Sequence, residues 1–314
     1  MQILVLGAGA GGGFPQWNCN MPRSRAAREG LPALKHRTQA SIAISVDGDR
    51  WLLVNASPDF RQQQLATSAL WPRKGLRDSP IKAVTLTGGE LDHITGLLSM
   101  RERQAFCLYA TSTVLDLLAR NPVFDALHPD VVQRCAIELD VPFQPQDPDG
   151  RPLGMTVRPY AVPGKVPLFM EAGAGDDLRG SADTTVGLHI TEGGGGPGLH
   201  FIPGCAAIDD ALRARLDGAA LLLFDGTLWR DDEMLRAGVS EKTGARMGHI
   251  SVTHLGDPDA PGGLLHELAG ISIGQRLLIH VNNTNPVLDE RSTERALLRE
   301  RGWDVAEDGM ALCI

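Results

Sequence analysis

Short apolar runs separated by glycine-rich or polar turns are the main pattern along the chain. Two pairs of these runs each flank such a turn, an arrangement typical of β-hairpins. The hairpin strands are predicted at residues 40–46 and 51–54, and at 186–190 and 199–202. A further apolar run at residues 3–6 predicts a first strand rather than a secretory signal, because it is short and no basic segment precedes it.

Strands followed by helices make up the rest of the pattern. The predicted strands are 81–86, 106–109, 219–224 and 276–279, with a closing strand pair around 303–305 and 310–314. The predicted helices are 95–103, 112–120, 209–216, 262–270 and 292–301. Hairpins mixed with strand–helix units predict an α/β fold in which two sheets are covered by helices, a four-layer αββα sandwich. We expect one domain over residues 1–314.

Composition narrows the class of protein. Of the 314 residues, 43% are hydrophobic and 22% are charged, which is typical of a globular protein. The net charge of −8 argues against a nucleic-acid-binding surface, and no apolar run approaches the ~18 residues of a membrane span. The five cysteines are widely spaced and form no CxxC pair, so we expect reduced thiols in a cytoplasmic enzyme.

A glycine-rich loop, GAGAGG at residues 7–12, follows the first strand. Its spacing matches the dinucleotide-binding fingerprint, but that motif requires a helix to begin at the loop. Pro15 and the neighbouring glycines oppose a helix there, and no acidic residue closes a second strand about 20 residues later. A loop that lines a pocket is therefore favoured over nucleotide binding.

Polar side chains follow several predicted strands. Asp92 and His93 lie at a strand-to-helix turn, and His280 and Asp225 each stand where an apolar strand ends. A carboxylate and an imidazole together suit Fe, Mn or Zn, and a buried acid is costly unless it is paired or bound to metal. Because α/β layers place their sites at the carboxyl ends of strands, we predict a shared site. The alternative for Asp92 is that it only caps a helix.

Several histidines lie outside these strand ends. His249, in the sequence MGHI at residues 247–250, is a candidate acid, base or substrate contact. The alternative is that it only bonds to the backbone of its own loop. Four further histidines are predicted as surface or helix residues: His128, His200, His254 and His266.

Together these segments resemble the pyrroloquinoline quinone (PQQ) biosynthesis protein B family of the metallo-β-lactamase superfamily, over essentially the whole chain. The resemblance implies the αββα sandwich. The segments that carry it are GGGFPQWNCN at 11–20, NASPD at 55–59, LDHITGLL at 91–98, DGTLWRDDEM at 225–234, MGH at 247–249 and LIHVNNTNP at 278–286.

The superfamily's HxHxDH metal motif falls on residues 88–93, which read GGELDH, so the two leading histidines are absent. The next histidine of the pattern would fall at 162–165, where no ligand is present, and the aspartate that bridges two metals falls near Cys205. The resemblance therefore implies that the first of two metal sites is lost, which argues against a two-metal hydrolase.

The ligands of the second metal remain. The resemblance assigns them to Asp92, His93 and His280, with Asp225 as a fourth ligand or a residue that supports the ligands. Two histidines and one carboxylate with open positions are typical of non-haem Fe(II) enzymes that activate oxygen. The expected cofactor is one Fe(II), with Zn(II) or Mn(II) as alternatives in vitro.

The implied activity is iron- and oxygen-dependent hydroxylation of the tyrosine ring in a cross-linked Glu–Tyr precursor of PQQ. The expected partners are this small molecule and O₂, with no nucleic acid and no membrane, in a homodimer or with other proteins of the PQQ pathway. We assign general-base catalysis to His249, with Glu90 as the competitor, and cofactor binding to Asp59, Asn282 and Asn283. The alternative function is a non-catalytic carrier that helps transport PQQ or its precursor to the periplasm.

One segment departs from the family pattern. The family commonly has CxCxxC after the Trp-Asn pair, which holds a structural zinc, whereas this chain reads CNMPRS at residues 19–24. One thiolate cannot form a tetrahedral thiolate site, so no structural zinc is expected. We expect Phe14, Trp17 and Met21 to order this loop by packing.

Overall fold

The computed structural model describes residues 1–171 and 180–314, and the strands of these residues form two sheets. The strands are β1 (Gln2–Gly7), β2 (Ser41–Ser45), β3 (Trp51–Val54), β4 (Ile81–Thr85), β5 (Phe106–Thr111), β6 (Val132–Ile137), β7 (Met155–Ala161), β8 (Val186–Glu192), β9 (Leu199–Ile202), β10 (Ala219–Asp225), β11 (Ile273–Ile279), β12 (Asp304–Val305) and β13 (Ala311–Cys313). The order is β13-β1-β2-β3-β4-β5-β6 in the first sheet and β12-β11-β10-β9-β8-β7 in the second.

Helices connect many of these strands. The α-helices are α1 (Pro22–Arg28), α2 (Phe60–Ala66), α3 (Leu91–Ile94), α4 (Ser112–Ala119), α5 (Asp210–Leu216), α6 (Glu233–Arg236), α7 (Gly244–Met247), α8 (Leu264–Glu267) and α9 (Thr293–Glu300). Short 3₁₀ helices cover Ser68–Leu70, Thr95–Met100, Pro122–Ala126, Leu168–Met170 and Pro286–Leu288. None of the helices in this part of the chain combines the length and hydropathy needed to cross a membrane.

Three buried apolar clusters define the layers. The central cluster joins side chains of β1, β2 and β3 to those of β8, β9 and β10, so the two sheets pack face to face. A second cluster joins β10 and β11 to α5, α8 and α9, and a third joins β3, β4 and β5 to α3 and α4. Each sheet therefore has helices on its outer face, which confirms the predicted αββα sandwich.

Strand β10 shows why its sequence is continuously apolar. Side chains alternate between the two faces of a strand. Leu221 and Leu223 accordingly face the central cluster, whereas Leu222 and Phe224 face the outer one. Since both faces are buried, only the carboxyl end of the strand, at Asp225, carries a polar group.

Two predicted helices differ from the structure. The segment predicted as a helix at 95–103 begins earlier, with the α-helical turn Leu91–Ile94, and continues as the 3₁₀ helix Thr95–Met100. The helix predicted at 262–270 is limited to Leu264–Glu267. Neither predicted segment reaches the length at which an isolated helix becomes stable in water.

The closing strand pair was predicted wrongly. Strand β12 pairs with β11 in the second sheet, whereas β13 pairs with β1 in the first sheet. Strands β6 and β7 were not predicted, and both lie at a sheet edge. Edge strands tolerate polar residues and proline, and β7 contains Pro159, so their apolar signal is weak.

The candidate site lies where the two sheets meet at the ends of their strands. The loop after β1 contacts the segment after β11, because Ala10 N donates to Val281 O at 3.0 Å and Val281 N donates to Ala8 O at 2.9 Å. These bonds hold the glycine-rich loop beside His280 and bring together residues from both sheets.

Candidate metal centre

Asp92 and His93 lie in the single turn of α3. Glu90 occupies the N-cap position, so the structure does not support a capping role for Asp92. Asp92 Oδ2 instead accepts a hydrogen bond from His280 Nε2 at 2.9 Å. His93 is buried, and its Nε2 lies 3.9 Å from the same carboxylate oxygen.

His280 follows the last residue of β11 with a backbone φ of 58°. This left-handed conformation is uncommon for residues other than glycine, so the surrounding contacts must hold it. Its Nε2 contacts Asp92, and its Nδ1 lies 2.8 Å from the Thr227 hydroxyl. Both ring nitrogens are therefore fixed, and the imidazole links the end of the second sheet to α3.

The donor set fits a divalent metal ion. Asp92, His93 and His280 each offer a ligand atom, and these atoms lie within 4.8 Å of one another. Among residues 1–171 and 180–314, His93 Nε2 has no hydrogen-bond partner although it is buried. A buried nitrogen without a partner is unfavourable, and metal coordination would satisfy it.

A second group within 4.8 Å consists of Asp225, His249 and His280. Asp225 is fully buried, and its Oδ1 accepts from Thr227 N at 3.0 Å and from Thr227 Oγ1 at 2.6 Å. Its Oδ2 accepts from Cys205 N at 2.9 Å and from His249 Nδ1 at 2.6 Å. These bonds use both oxygens, so the arrangement supports a positioning role for Asp225 better than a fourth ligand.

The surroundings of the first group shift the pKa values of all three side chains. Burial raises the pKa of Asp92, but the neighbouring His93 and His280 outweigh burial and leave it below its ordinary value. Burial lowers the pKa of His93. Burial also lowers the pKa of His280, but its hydrogen bond to Asp92 and the charges of the neighbouring carboxylates outweigh burial and leave the pKa above its ordinary value, so a metal ion would have to displace a proton from this imidazole. The site therefore presents a carboxylate and a neutral His93 imidazole at neutral pH, the forms that bind metal.

These residues open onto a cavity of about 310 Å³. Ala10, Gly11 and Gln16 of the glycine-rich loop line it, as do Met234 and Met247. No helix starts in this loop, since α1 begins at Pro22. The prediction of a pocket-lining loop rather than a dinucleotide-binding turn is therefore consistent with the structure.

Both candidate bases line this cavity. His249 bonds to the Asp225 side chain rather than to the backbone of its own loop, which was the alternative. Glu90 is already engaged, because its Oε1 accepts from Lys165 Nζ at 3.0 Å and its Oε2 accepts from Leu168 N at 3.1 Å.

The residues predicted to bind the cofactor lie in different places. Asn282 lines the cavity, and Asn283 donates to the Gln16 side chain. Asp59 does not line the cavity; its Oδ2 accepts from Gln39 N and Nε2, both at 2.9 Å. Gln39 Oε1 in turn accepts from Gly12 N at 3.0 Å, so Asp59 supports the glycine-rich loop.

Sequence reasoning missed three residues of this region. Thr227 contacts Asp225, His249 and His280 through one hydroxyl, although its motif was recognised only for Asp225. Lys165 and Lys242 line the cavity. The only available signal was the position of Lys165 in the segment where the family's histidine is absent.

The prediction that Trp17 orders the loop by packing was wrong. Trp17 is 87% exposed, so it does not pack in the loop, whereas Phe14 is buried. Arg28 orders the loop instead, because it donates to Gln16 O at 2.6 Å and to Cys19 O at 2.7 Å.

His200 was predicted as a surface or helix residue, but it is buried on β9. Its Nδ1 lies 2.8 Å from the Tyr160 hydroxyl. The error arose because a histidine can occupy a buried strand position when one nitrogen has a partner.

Comparison with known proteins gives consistent relationships. Residues 50–281 match the family described as "Beta-lactamase superfamily domain". The chain is 55% identical over 314 residues to Coenzyme PQQ synthesis protein B of Xanthomonas campestris pv. campestris (strain B100), covering 100% of both chains. It is 53% identical over 312 residues to the protein of the same name from Gluconacetobacter diazotrophicus, covering 99% of both.

Solved structures agree with these relationships. Zn(2+)-bound PqqB from Methylobacterium extorquens superposes with a TM-score of 0.93 at 49% identity, covering 100% of both chains. A diphosphatase from the PhnP family superposes with a TM-score of 0.65 at 18% identity, covering 99% of this chain and 96% of the diphosphatase chain. At this identity, the likeness shows only that the two proteins share a fold. The metallo-β-lactamase type of the predicted sandwich is thereby confirmed.

Proposed function

This chain belongs to the coenzyme PQQ synthesis protein B family of the β-lactamase superfamily, and from this membership we propose that it is an iron- and oxygen-dependent hydroxylase of PQQ biosynthesis. The proposed substrate is the tyrosine ring of a cross-linked Glu–Tyr precursor. The observation that carries the proposal is the donor set of Asp92, His93 and His280, with the unpartnered His93 nitrogen. Two histidines and one carboxylate are used by Fe(II) enzymes that activate oxygen.

The metal would be held by those three side chains, and the zinc-bound relative from Methylobacterium extorquens supports a metal cofactor in general. When bound, Fe(II) would supply oxygen activation, which protein side chains alone do not provide. Overall, one atom of O₂ would be inserted into a ring C–H bond to give the hydroxyl group and the other would leave as water, with two electrons and two protons from a small-molecule reductant such as ascorbate.

His249 is the proposed general base. A phenol has an ordinary pKa of about 10, so its ring reacts more readily once a base removes the proton. The bond from His249 Nδ1 to Asp225 fixes the neutral tautomer with hydrogen on Nδ1, which leaves Nε2 to accept the phenol proton. Glu90 is the weaker candidate, because Lys165 and Leu168 N already occupy its oxygens.

Thr227 is the proposed positioning residue. Its hydroxyl lies 2.8 Å from His280 Nδ1 and 3.1 Å from His249 Nδ1, and it contacts Asp225 Oδ1 at 2.6 Å. One side chain therefore fixes both the proposed ligand and the proposed base, as residues behind a metal site commonly do.

The proposal is tested with protein purified without oxygen and loaded with Fe(II). Oxygen uptake with the Glu–Tyr precursor and ascorbate, together with mass-spectrometric detection of a hydroxylated ring, would support hydroxylation. His93→Ala and His280→Ala should each lose iron and turnover, whereas His128→Ala, at an exposed histidine, should keep both. PQQ binding without turnover would favour the carrier instead, and unchanged iron content in both site variants would refute the ligand assignment.

A further inference from the structure

A cluster of charged side chains forms one wall of the cavity beside the metal centre. Lys165 Nζ lies 3.0 Å from Glu90 Oε1 and 3.1 Å from Glu171 Oε1. Glu171 Oε2 also lies 3.4 Å from Lys242 Nζ and 3.4 Å from an Arg246 guanidinium nitrogen. Glu90 is two residues before Asp92 in the chain, so the cluster adjoins the proposed ligands.

The cluster has more positive than negative charge. Counting only residues 1–171 and 180–314, three cations share the carboxylates of Glu90 and Glu171. Lys165 also donates to Val166 O at 3.1 Å, so most of its bonding capacity is used. Lys242 lines the cavity with 38% of its side chain exposed, and its contact with Glu171 is a long one. Its ammonium group can therefore bind another anion without losing a strong bond.

Lys165 is held rigidly between the proposed ligands and the proposed base. A Cβ atom added to Gly248 would lie 3.0 Å from Lys165 Cγ, so the lysine stem packs against the loop that carries His249. Gly248 also has a φ of 83°, a conformation that glycine adopts without strain. Only 14% of the Lys165 side chain is exposed, and a lysine in that position requires the pairing that Glu90 and Glu171 provide.

Apolar side chains line the same cavity as the charged cluster. Leu168, Met234 and Met247 contribute apolar side chains to the same space. An aromatic ring can pack against such residues, and methionine makes favourable sulfur contacts with rings. The cavity thus combines apolar side chains, a candidate metal centre and a cationic cluster.

We propose that Lys242, supported by Lys165, binds a carboxylate of the substrate and thereby selects a phenol that carries a free carboxylate. This inference rests on the proposed function for the identity of the phenol, but the carboxylate contact follows from the charges. An ammonium–carboxylate contact fixes the end of the substrate, while the ring packs on the apolar side chains beside the metal ligands. Phenols of the same size without a carboxylate are bound less tightly.

The test compares two probes that differ only in the carboxylate, N-acetyltyrosine and N-acetyltyramine. Their binding to the zinc-loaded full chain is measured by calorimetry, so no turnover is needed. The wild-type protein should bind N-acetyltyrosine more tightly. Lys242→Gln should weaken that binding by about tenfold to a hundredfold, as expected for a bond to a charged group, and leave N-acetyltyramine unchanged. Lys165→Gln should also weaken the binding of N-acetyltyrosine and leave that of N-acetyltyramine unchanged.

Lys74→Gln, at an exposed lysine outside the cavity, is the matched control and should bind both probes like the wild type. Zinc content and the melting temperature of each variant exclude misfolding as the cause. Equal affinity of the wild type for both probes, an absence of N-acetyltyrosine binding, or an equal loss for both probes in Lys242→Gln would each overturn the proposal. Carboxylate preference without oxygen-dependent turnover would refute the hydroxylase function alone, and turnover without this preference would refute the lysine site alone.

Discussion

The His249 imidazole and the Asp225 carboxylate are joined by a hydrogen bond of 2.6 Å at the end of β10. Burial raises the pKa of Asp225, but His249 and the bonds around it outweigh burial and leave the pKa below its ordinary value. The carboxylate therefore stays ionised at neutral pH and orients the imidazole. The same relationship in serine hydrolases fixes the tautomer of a catalytic histidine.

If His249 is the general base, His249→Gln should keep its iron and lose turnover by about 10²-fold or more. Glutamine can still bond to Asp225 but cannot accept a proton, so the change isolates proton transfer from structure. Iron content is measured by elemental analysis and turnover by oxygen uptake. Glu90→Gln serves as the comparison, and near-normal turnover in His249→Gln would transfer the role to Glu90 or to solvent.

Thr227→Val should weaken metal binding by about 10- to 100-fold, the range found for residues that orient metal ligands. Valine keeps the shape but removes the hydroxyl that contacts His280 Nδ1 and Asp225 Oδ1. Competition with a chromophoric chelator measures the affinity. Thr227→Ser retains a hydroxyl and should stay close to the wild type; equal weakening in both variants would contradict this hydrogen-bonding role.

The strands that carry the site could be predicted from their continuous apolar runs. In β10 and in the last residues of β11, both faces of the strand are buried. Their apolar runs therefore end at Asp225 and His280. The contact between Asp92 and His280 could not be derived from the pattern, since it spans 188 residues and depends on how the two sheets pack. Lys165 was missed for a related reason: a lysine lies in a cavity wall only when distant carboxylates pair with it.

Cys19→Ser should leave the metal content per chain unchanged. Cys19 Sγ accepts a hydrogen bond from the Ser24 hydroxyl at 3.1 Å, in the segment where the family commonly has three cysteines. A single thiol cannot form a tetrahedral thiolate site, so the substitution removes no expected ligand. Elemental analysis of Cys19→Ser beside His93→Ala provides the measurement, and a fall in zinc or iron in the cysteine variant would reveal a second metal site.

Glu233 should make folding stability depend on pH. It lies beneath the polar segment after β11, where its Oε2 accepts from Trp229 N at 2.7 Å and its Oε1 accepts from the Thr284 hydroxyl. Burial raises the pKa of Glu233 from 4.5 to about 7. Between these pH values the folded protein binds a proton that the unfolded chain releases, so the free energy of unfolding falls as pH rises.

Through Glu233, the free energy of unfolding falls by about 3 kcal/mol as the pH rises from 4.5 to about 7. Above pH ~7 the effect of Glu233 no longer changes with pH. Glu233→Gln keeps a side chain that can bond to Trp229 N and Thr284 but cannot ionise. Urea unfolding of the wild type and the variant at pH 5 and pH 8 tests it. Relative to the wild type, the variant should gain stability at the higher pH because it avoids a buried charge. Glu102→Gln, at an exposed glutamate, should follow the wild type at both pH values. If the Glu233→Gln and wild-type stabilities differ by the same amount at both, Glu233 does not titrate in this range.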